Sequence, residues 1–148
     1  MTESKKQPWR QYEEQVYAEF CANYADAEIS FDQHLPGRFS EALRQVDVVV
    51  RSTMAGDPVL GVFDCKCFQR QVDVTEVDRM IGFMDDLNAN LAGIVTTVGF
   101  SDAAVRRAKA SRVTLRTIKF ESVAQLVAEF VPSLDFSDPR NSMYLGAL

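Results

Sequence analysis

Near the start of the chain, Trp9, Tyr12, Val16 and Phe20 recur at helical spacing and form one apolar stripe. Pro8 marks the expected beginning of that helix, since a first-turn residue needs no amide proton. At about 100° per residue, Glu13 lies roughly 60° from Val16 on the helix wheel and Glu14 roughly 160° away. Of the two adjacent acids, Glu13 should face the rest of the protein.

The period then changes to two. Ala27–Phe31 reads as a short strand, followed by a turn at His34-Leu35-Pro36-Gly37. Arg44–Arg51 (RQVDVVVR) reads as a stronger strand, with Val46, Val48 and Val50 expected on one face and Gln45, Asp47 and Val49 on the other. A turn at Gly56-Asp57-Pro58 leads into Val59–Cys67 (VLGVFDCKC), mostly apolar and hence central. The two runs predict an antiparallel hairpin.

Helical spacing returns in Val77, Met80, Ile81, Met84 and Leu87, after a capping box read at Thr75-Glu76-Val77-Asp78. Gly93–Val98 predicts a buried strand, and Ser101 the N-cap of a helix to about Ala110. Val113–Ile118 predicts another strand and Ser122–Phe130 a helix that Pro132 stops. The order αβββαβαβα implies a mixed sheet, antiparallel at first and then extended by βαβ crossovers, with helices on both faces. Residues 1–132 are expected to form a single domain and Ser133–Leu148 an irregular tail.

Composition adds bounds. Of the 148 residues, 47% are hydrophobic and 25% charged, as in globular domains. No apolar run approaches the ~20 residues that span a bilayer. Three cysteines without a secretory leader fit a reducing, cytoplasmic setting. The net charge of −5 disfavours a nucleic-acid partner at first sight, but its distribution is uneven. Ser101–Lys119 carries Arg106, Arg107, Lys109, Arg112, Arg116 and Lys119 against Asp102 alone. That block is either a phosphate-contacting surface or a solvated helix face.

Two strand acids change the picture further. Asp47 lies among valines and Asp64 follows Phe63 in an apolar run, and buried carboxylates are costly unless paired, hydrogen-bonded or bound to metal. Asp64 and Lys66, two apart in a strand, share a face. If the hairpin register sets Asp47 beside Asp64, two carboxylates and an ammonium converge. With the Cys65 backbone carbonyl, they offer the hard oxygen ligands that suit Mg²⁺, for which Mn²⁺ can substitute. Glu13 could reach the same ion directly or through water.

The pattern Asp47 … Asp64-x-Lys66 on a hairpin, after a helix bearing Glu13, resembles the PD-(D/E)XK restriction-endonuclease-like nucleases. The ordered set RQVDV (44–48), DCK (64–66) and GIVTTVGFS (93–101) is similar to their Mrr-like type IV restriction branch. The resemblance implies an α/β restriction-endonuclease-like three-layer fold, with a mixed central sheet flanked by helices (an αβββαβ core plus a βα extension). It implies metal-dependent hydrolysis of DNA phosphodiesters, with Asp47 and Asp64 as metal ligands, Lys66 as catalytic lysine, and a role in restriction or anti-phage defence. Asp64 stands where many relatives carry Glu or Gln, and no Gln-x-x-x-Tyr signature follows the lysine. At this length there is no room for a separate target-recognition domain, so specificity is expected from loops or another subunit.

Candidates for nucleic-acid contact are Gln45, Gln69, Arg70, Arg106, Arg107 and Lys109. Cutting both strands of a duplex implies a homodimer or a place in a larger defence complex. Competing readings are a catalytically silent nucleic-acid-binding or assembly module on the same scaffold, and an α/β enzyme with Cys65 or Cys67 as nucleophile. Cys21, Cys65, Cys67 and His34 also raise zinc, but a C-x-C in one strand without a second cysteine pair favours free thiols.

Overall fold

A computed structural model describes residues 7–67 and 70–119. Its elements run α1 (Pro8–Asn23), β1 (Glu28–Pro36), β2 (Leu43–Met54), β3 (Asp57–Lys66), α2 (Val74–Asp86), β4 (Leu91–Thr96), α3 (Asp102–Lys109) and β5 (Val113–Thr117). The five strands form one sheet in sequential order, β1-β2-β3-β4-β5. The first three strands pair antiparallel, and β3, β4 and β5 pair parallel through the crossover helices α2 and α3. This is the expected mixed, helix-flanked α/β architecture. The helix read at Ser122–Phe130, its stop at Pro132 and the tail at Ser133–Leu148 lie outside the described residues.

Two apolar clusters flank the sheet. Tyr12, Val16 and Phe20 of α1 pack with Val48, Phe63 and Val95 on one face. Val77, Met80 and Met84 of α2 pack with Val46, Val49, Val62, Ile94, Ala104 and Ala108 on the other. Trp9 departs from its expected place in the stripe and is half exposed. The Tyr12 hydroxyl, one turn later, already donates to the Ile118 carbonyl at the end of the sheet, so Trp9 projects past it.

The alternation expected in β2 also fails at one place. Val46 belongs to the α2-side cluster and Val48 to the α1-side cluster, although two residues apart should share a face. The break falls on Asp47. The β1–β2 register passes from Phe31↔Val48 to Gln33↔Val46 without pairing Asp32 and Asp47, and Asp32 has φ 52°, a left-handed conformation that Asp tolerates better than most residues. The alternation resets there, so that Val46 joins the α2-side cluster and the Arg44 guanidinium lies over the Phe83 ring of α2.

Other boundaries shift for local reasons. β1 runs through the segment read as a turn and pairs as far as Pro36↔Leu43. As an edge strand it can hold a proline, whose missing N–H would otherwise leave a gap in a ladder. The turn follows at Gly37, where a Cβ would lie 2.3 Å from the Asp86 carboxylate. The β2–β3 turn is Ala55-Gly56, both at positive φ, rather than Gly56-Asp57-Pro58. The cap of α2 is Asp73, whose carboxylate accepts from the Thr75 and Glu76 amides, rather than Thr75. Ser101 caps α3 as expected, accepting from the Ala104 amide at 3.2 Å.

Candidate active site

The ladder between β2 and β3 runs from Met54↔Asp57 to Val48↔Phe63 and stops. The next pair in register would be Asp47 and Asp64. There the strands separate, and a side chain takes over from the backbone: Asp47 Oδ2 accepts from the Cys65 N–H at 2.8 Å. β3 continues beside β4, with Asp64↔Ile94, Cys65↔Val95 and Lys66↔Thr96. The sequence thus builds an opening at the sheet's centre, where one strand has parted from its neighbour.

Alternation along β3 sets Val62 in the α2-side cluster and Phe63 and Cys65 toward α1. Asp64 and Lys66 therefore project on the α2 side, and Cys65 and Cys67 on the opposite face. Lys66 Nζ lies 2.8 Å from Asp64 Oδ2, and only 13% of its side chain is exposed. A second carboxylate, Glu76 Oε2 from the first turn of α2, lies 3.6 Å from the same ammonium. Asp64 Oδ2 and Glu76 Oε2 are both buried, yet neither accepts an aligned hydrogen bond. The 2.8 Å approach of Lys66 to Asp64 is thus an ion pair without hydrogen-bond alignment.

Glu13 enters from α1. It is 8% exposed, as its position beside the stripe predicts, while Glu14 is half-buried. Burial pushes the Glu13 carboxyl up, and Asp32 and Asp64 add to this against the pull of Arg10. Burial likewise pushes Asp47 up to about 8, helped by its hydrogen bond with Asp64 and opposed by the Cys65 amide. Four acids crowd one end of the sheet: Glu13, Asp32, Asp47 and Asp64. Burial and the neighbouring acids favour the protonated form of Asp47 and Glu13, whereas Gln45 and Arg10 hold Asp32 below its ordinary value; a bound cation would reverse the preference at Asp47.

Among the described residues, no three His, Cys, Asp or Glu side chains stand close enough to enclose a metal ion unaided. Asp47 and Asp64 supply two carboxylates, and Asp64 Oδ2 is a buried oxygen short of an aligned donor. Mg²⁺ keeps several waters and needs only one or two protein carboxylates, so this donor set suits it.

The remaining candidates divide. The Gln45 amide donates to Asp32 Oδ1 at 2.6 Å, and Arg10 pairs with Asp32 Oδ2 at 3.2 Å. Arg70 is exposed just past β3, while Gln69 lies outside the described residues. Arg106 and Lys109 are exposed on α3, and Arg107 is held by Asp78 of α2 at 2.8 Å. The Cys65 thiol is raised well above its ordinary value by burial and by Asp47, Asp64 and Glu13, which disfavours a nucleophilic thiolate.

Sequence reasoning missed Glu76 and Asp32 as neighbours of the site. Glu76 reads as part of a capping box, and only the packing of α2 brings its carboxylate to Lys66. For Asp32 no sequence signal existed, because its place depends on the β1–β2 register.

The sequence model for the Mrr catalytic domain, described as a restriction endonuclease, matches residues 40–127. No curated protein matches the sequence. Among solved structures, AF1548, a protein of unknown function, aligns with a TM-score of 0.59 at 16% identity, covering 87% of this chain and 73% of its own. A repair endonuclease from Pyrococcus abyssi aligns at 0.54 and 15% identity over 82% of this chain. EndoMS bound to double-stranded DNA aligns at 0.51 and 12% identity, again over 82% of this chain. This chain spans 50% of the length of each of those two chains. These likenesses show a shared fold, and the family match covers more than half of the sequence. The chain belongs to the Mrr catalytic-domain family of restriction endonucleases.

Proposed function

We propose that the protein is a divalent-metal-dependent DNA endonuclease whose site is built from Asp47, Asp64, Lys66 and Glu13. The observation that carries this reading is the convergence of Asp47 on the Cys65 amide with the Asp64–Lys66 ion pair where β2 and β3 part. A silent scaffold would gain nothing from it: two adjacent carboxylates in a poorly solvated place repel each other.

Asp47, Asp64 and the Cys65 carbonyl would hold the ion, Mg²⁺ or Mn²⁺, with Glu13 acting through water. When bound, the ion supplies charge neutralisation at the scissile phosphate and lowers the pKa of a water. Lys66 presents a fixed positive charge beside that phosphate and stabilises the charge that develops during in-line attack. Glu13, its carboxyl raised by burial, can accept a proton from a water that it orients. Asp47, anchored by the Cys65 amide, fixes the distance between the two carboxylates.

A DNA substrate is supported by the family and by the basic face of α3. Restriction or anti-phage defence, a cytoplasmic setting, a single nuclease domain over residues 1–132 and a homodimer or larger complex complete the proposal. No helix among the described residues is long and apolar enough to cross a membrane. Supercoiled plasmid incubated with the protein and Mg²⁺ or Mn²⁺ should convert to nicked or linear forms, and EDTA should stop the conversion. Conversion at the same rate in EDTA would refute metal dependence, and no conversion with either metal would favour the silent module.

A further inference from the structure

The Lys66 ammonium lies between two carboxylates that come from different elements. Asp64 is its neighbour on β3, 2.8 Å away, and Glu76 reaches it from α2 at 3.6 Å. Only Asp64 belongs to the pair expected to bind a metal ion. Glu76 lies in the third position after the cap Asp73, where a capping-box glutamate would fold back onto the cap's own amide. Instead its Oε2 is buried beside Lys66, with Arg79 of the same helix at 3.5 Å on its outer side. A carboxylate buried this way costs free energy unless a cation stands by it. The nearest fully buried polar group on the facing strand, Thr96, lies opposite Lys66 in register, and its hydroxyl carries no charge to replace an acid.

The arrangement poses a problem for the proposed reaction. As the chain stands, Lys66 neutralises Asp64. A divalent metal ion bound at Asp64 Oδ2, the buried oxygen that Lys66 contacts, would share it with the ammonium, and the two cations would repel each other. The hold of Asp64 on Lys66 would then weaken, and the flexible four-carbon stem would let the ammonium shift.

We propose that Glu76 is a positioning residue for Lys66, an alternative carboxylate partner that keeps the ammonium at the end of β3 while a divalent metal ion engages Asp64. This rests on the metal-dependent nuclease reading and deepens it. Lys66 changes partners rather than place, moving from the 2.8 Å contact toward the carboxylate now at 3.6 Å. The first turn of α2 suits the role, because a helix N-terminus favours a charged carboxylate.

The test uses Glu76→Gln and Glu76→Asp in the full chain, with three readouts. Calorimetric titration with Mn²⁺ reports on metal ligands. Acetylation of Lys66 by an amine-reactive ester, followed by mass spectrometry in EDTA and in saturating Mg²⁺, reports on how the ammonium is held. Plasmid cleavage reports on catalysis. Glu76→Gln should bind Mn²⁺ with nearly wild-type affinity, lose roughly tenfold or more in cleavage rate, and show faster Lys66 labelling in Mg²⁺ but not in EDTA. Glu76→Asp should recover part of the cleavage and protect Lys66 again. A loss of Mn²⁺ affinity in Glu76→Gln would make Glu76 a metal ligand and overturn the positioning role. Unchanged labelling in Mg²⁺ with normal Mn²⁺ binding would overturn it as well, while leaving the nuclease reading intact. A wild-type chain that binds no Mn²⁺ would overturn both.

Discussion

The Asp47 carboxylate accepts a hydrogen bond from the Cys65 backbone amide at 2.8 Å, where the β2–β3 ladder has just ended. One side chain does two things in that contact. It satisfies an amide that has lost its cross-strand partner, which would otherwise be an unmade bond worth about 1–3 kcal/mol if buried. It also holds two acids side by side at the open end of the sheet. The expected outcomes below follow from this contact and the groups around it.

Asp47 gives a pH signature without any assay of cleavage. Its carboxyl is pushed up to about 8 by burial and by Asp64, against an ordinary value of 3.8. Between those limits the folded protein keeps a proton that the unfolded chain releases, so stability in EDTA should fall as pH rises toward 8. Asp47→Asn keeps an oxygen for the Cys65 amide and removes the charge. It should be more stable than the parent at pH 8 by on the order of 2 kcal/mol, and melt higher accordingly, the ideal linkage value being reduced by solvent screening. At pH 4 the two proteins should melt together. Parallel melting curves across this range would show that Asp47 is charged throughout.

Glu13 and Glu14 are neighbours in sequence with different surroundings. Glu13 is buried and Glu14 only partly so, and the Glu13 carboxyl is raised by that burial and further by Asp32 and Asp64. Glu13→Gln should slow plasmid cleavage by roughly tenfold or more, and Glu14→Gln should leave it nearly unchanged. The opposite ranking would remove Glu13 from the site.

The sequence made these positions legible to different degrees. Helical spacing, strand alternation, apolar runs and the Ser101 cap located all eight described elements, with shifted ends. Glu13 could be told from Glu14 by helix geometry alone. Asp64 and Lys66 share a face because strand alternation holds through β3. Alternation did not hold through Asp47, near the left-handed Asp32, where β2 passes from the α2-side cluster to the α1-side cluster. Glu76 was hidden for another reason. Its residue type fitted a local cap, and only the tertiary path of α2 brings it to Lys66.

α3 offers a graded test of the basic face. Arg106 and Lys109 are exposed, whereas Arg107 is already paired with Asp78. If the two exposed cations meet phosphates, Arg106→Ala with Lys109→Ala should reduce the log–log salt slope of duplex binding by about 1.8. Adding Arg107→Ala should change it by less than the ~0.9 expected per phosphate contact. A slope unaltered by all three would move the DNA path off this helix.

Asp86 anchors the β1–β2 loop away from the site. It accepts from the Ser40 hydroxyl at 2.6 Å, from the Ser40 and Phe39 amides, each at 3.0 Å, and from Arg44 at 2.7 Å. The Ser40 hydroxyl and amide, with Phe39 and Arg44, hold its carboxyl well below the ordinary range. Its contribution to stability is therefore present above the usual carboxylate pKa and lost as pH falls through the depressed one. Asp86→Ala should lower the melting temperature at neutral pH and weaken the acid-side decline, without changing cleavage at low temperature. An unchanged melting temperature would show that the loop holds itself.

The central claim is that the opening between β2 and β3 hydrolyses DNA with a divalent metal ion. It is tested most directly by cleavage of supercoiled plasmid in Mg²⁺ by wild type, Asp64→Ala and Lys66→Ala, purified in parallel and matched by circular dichroism. Both side chains lie at the mouth of the opening, and their truncation leaves the two apolar clusters intact. Wild type should nick or linearise the plasmid, and neither variant should, with all three folded alike. Cleavage by either variant at the wild-type rate would contradict the account.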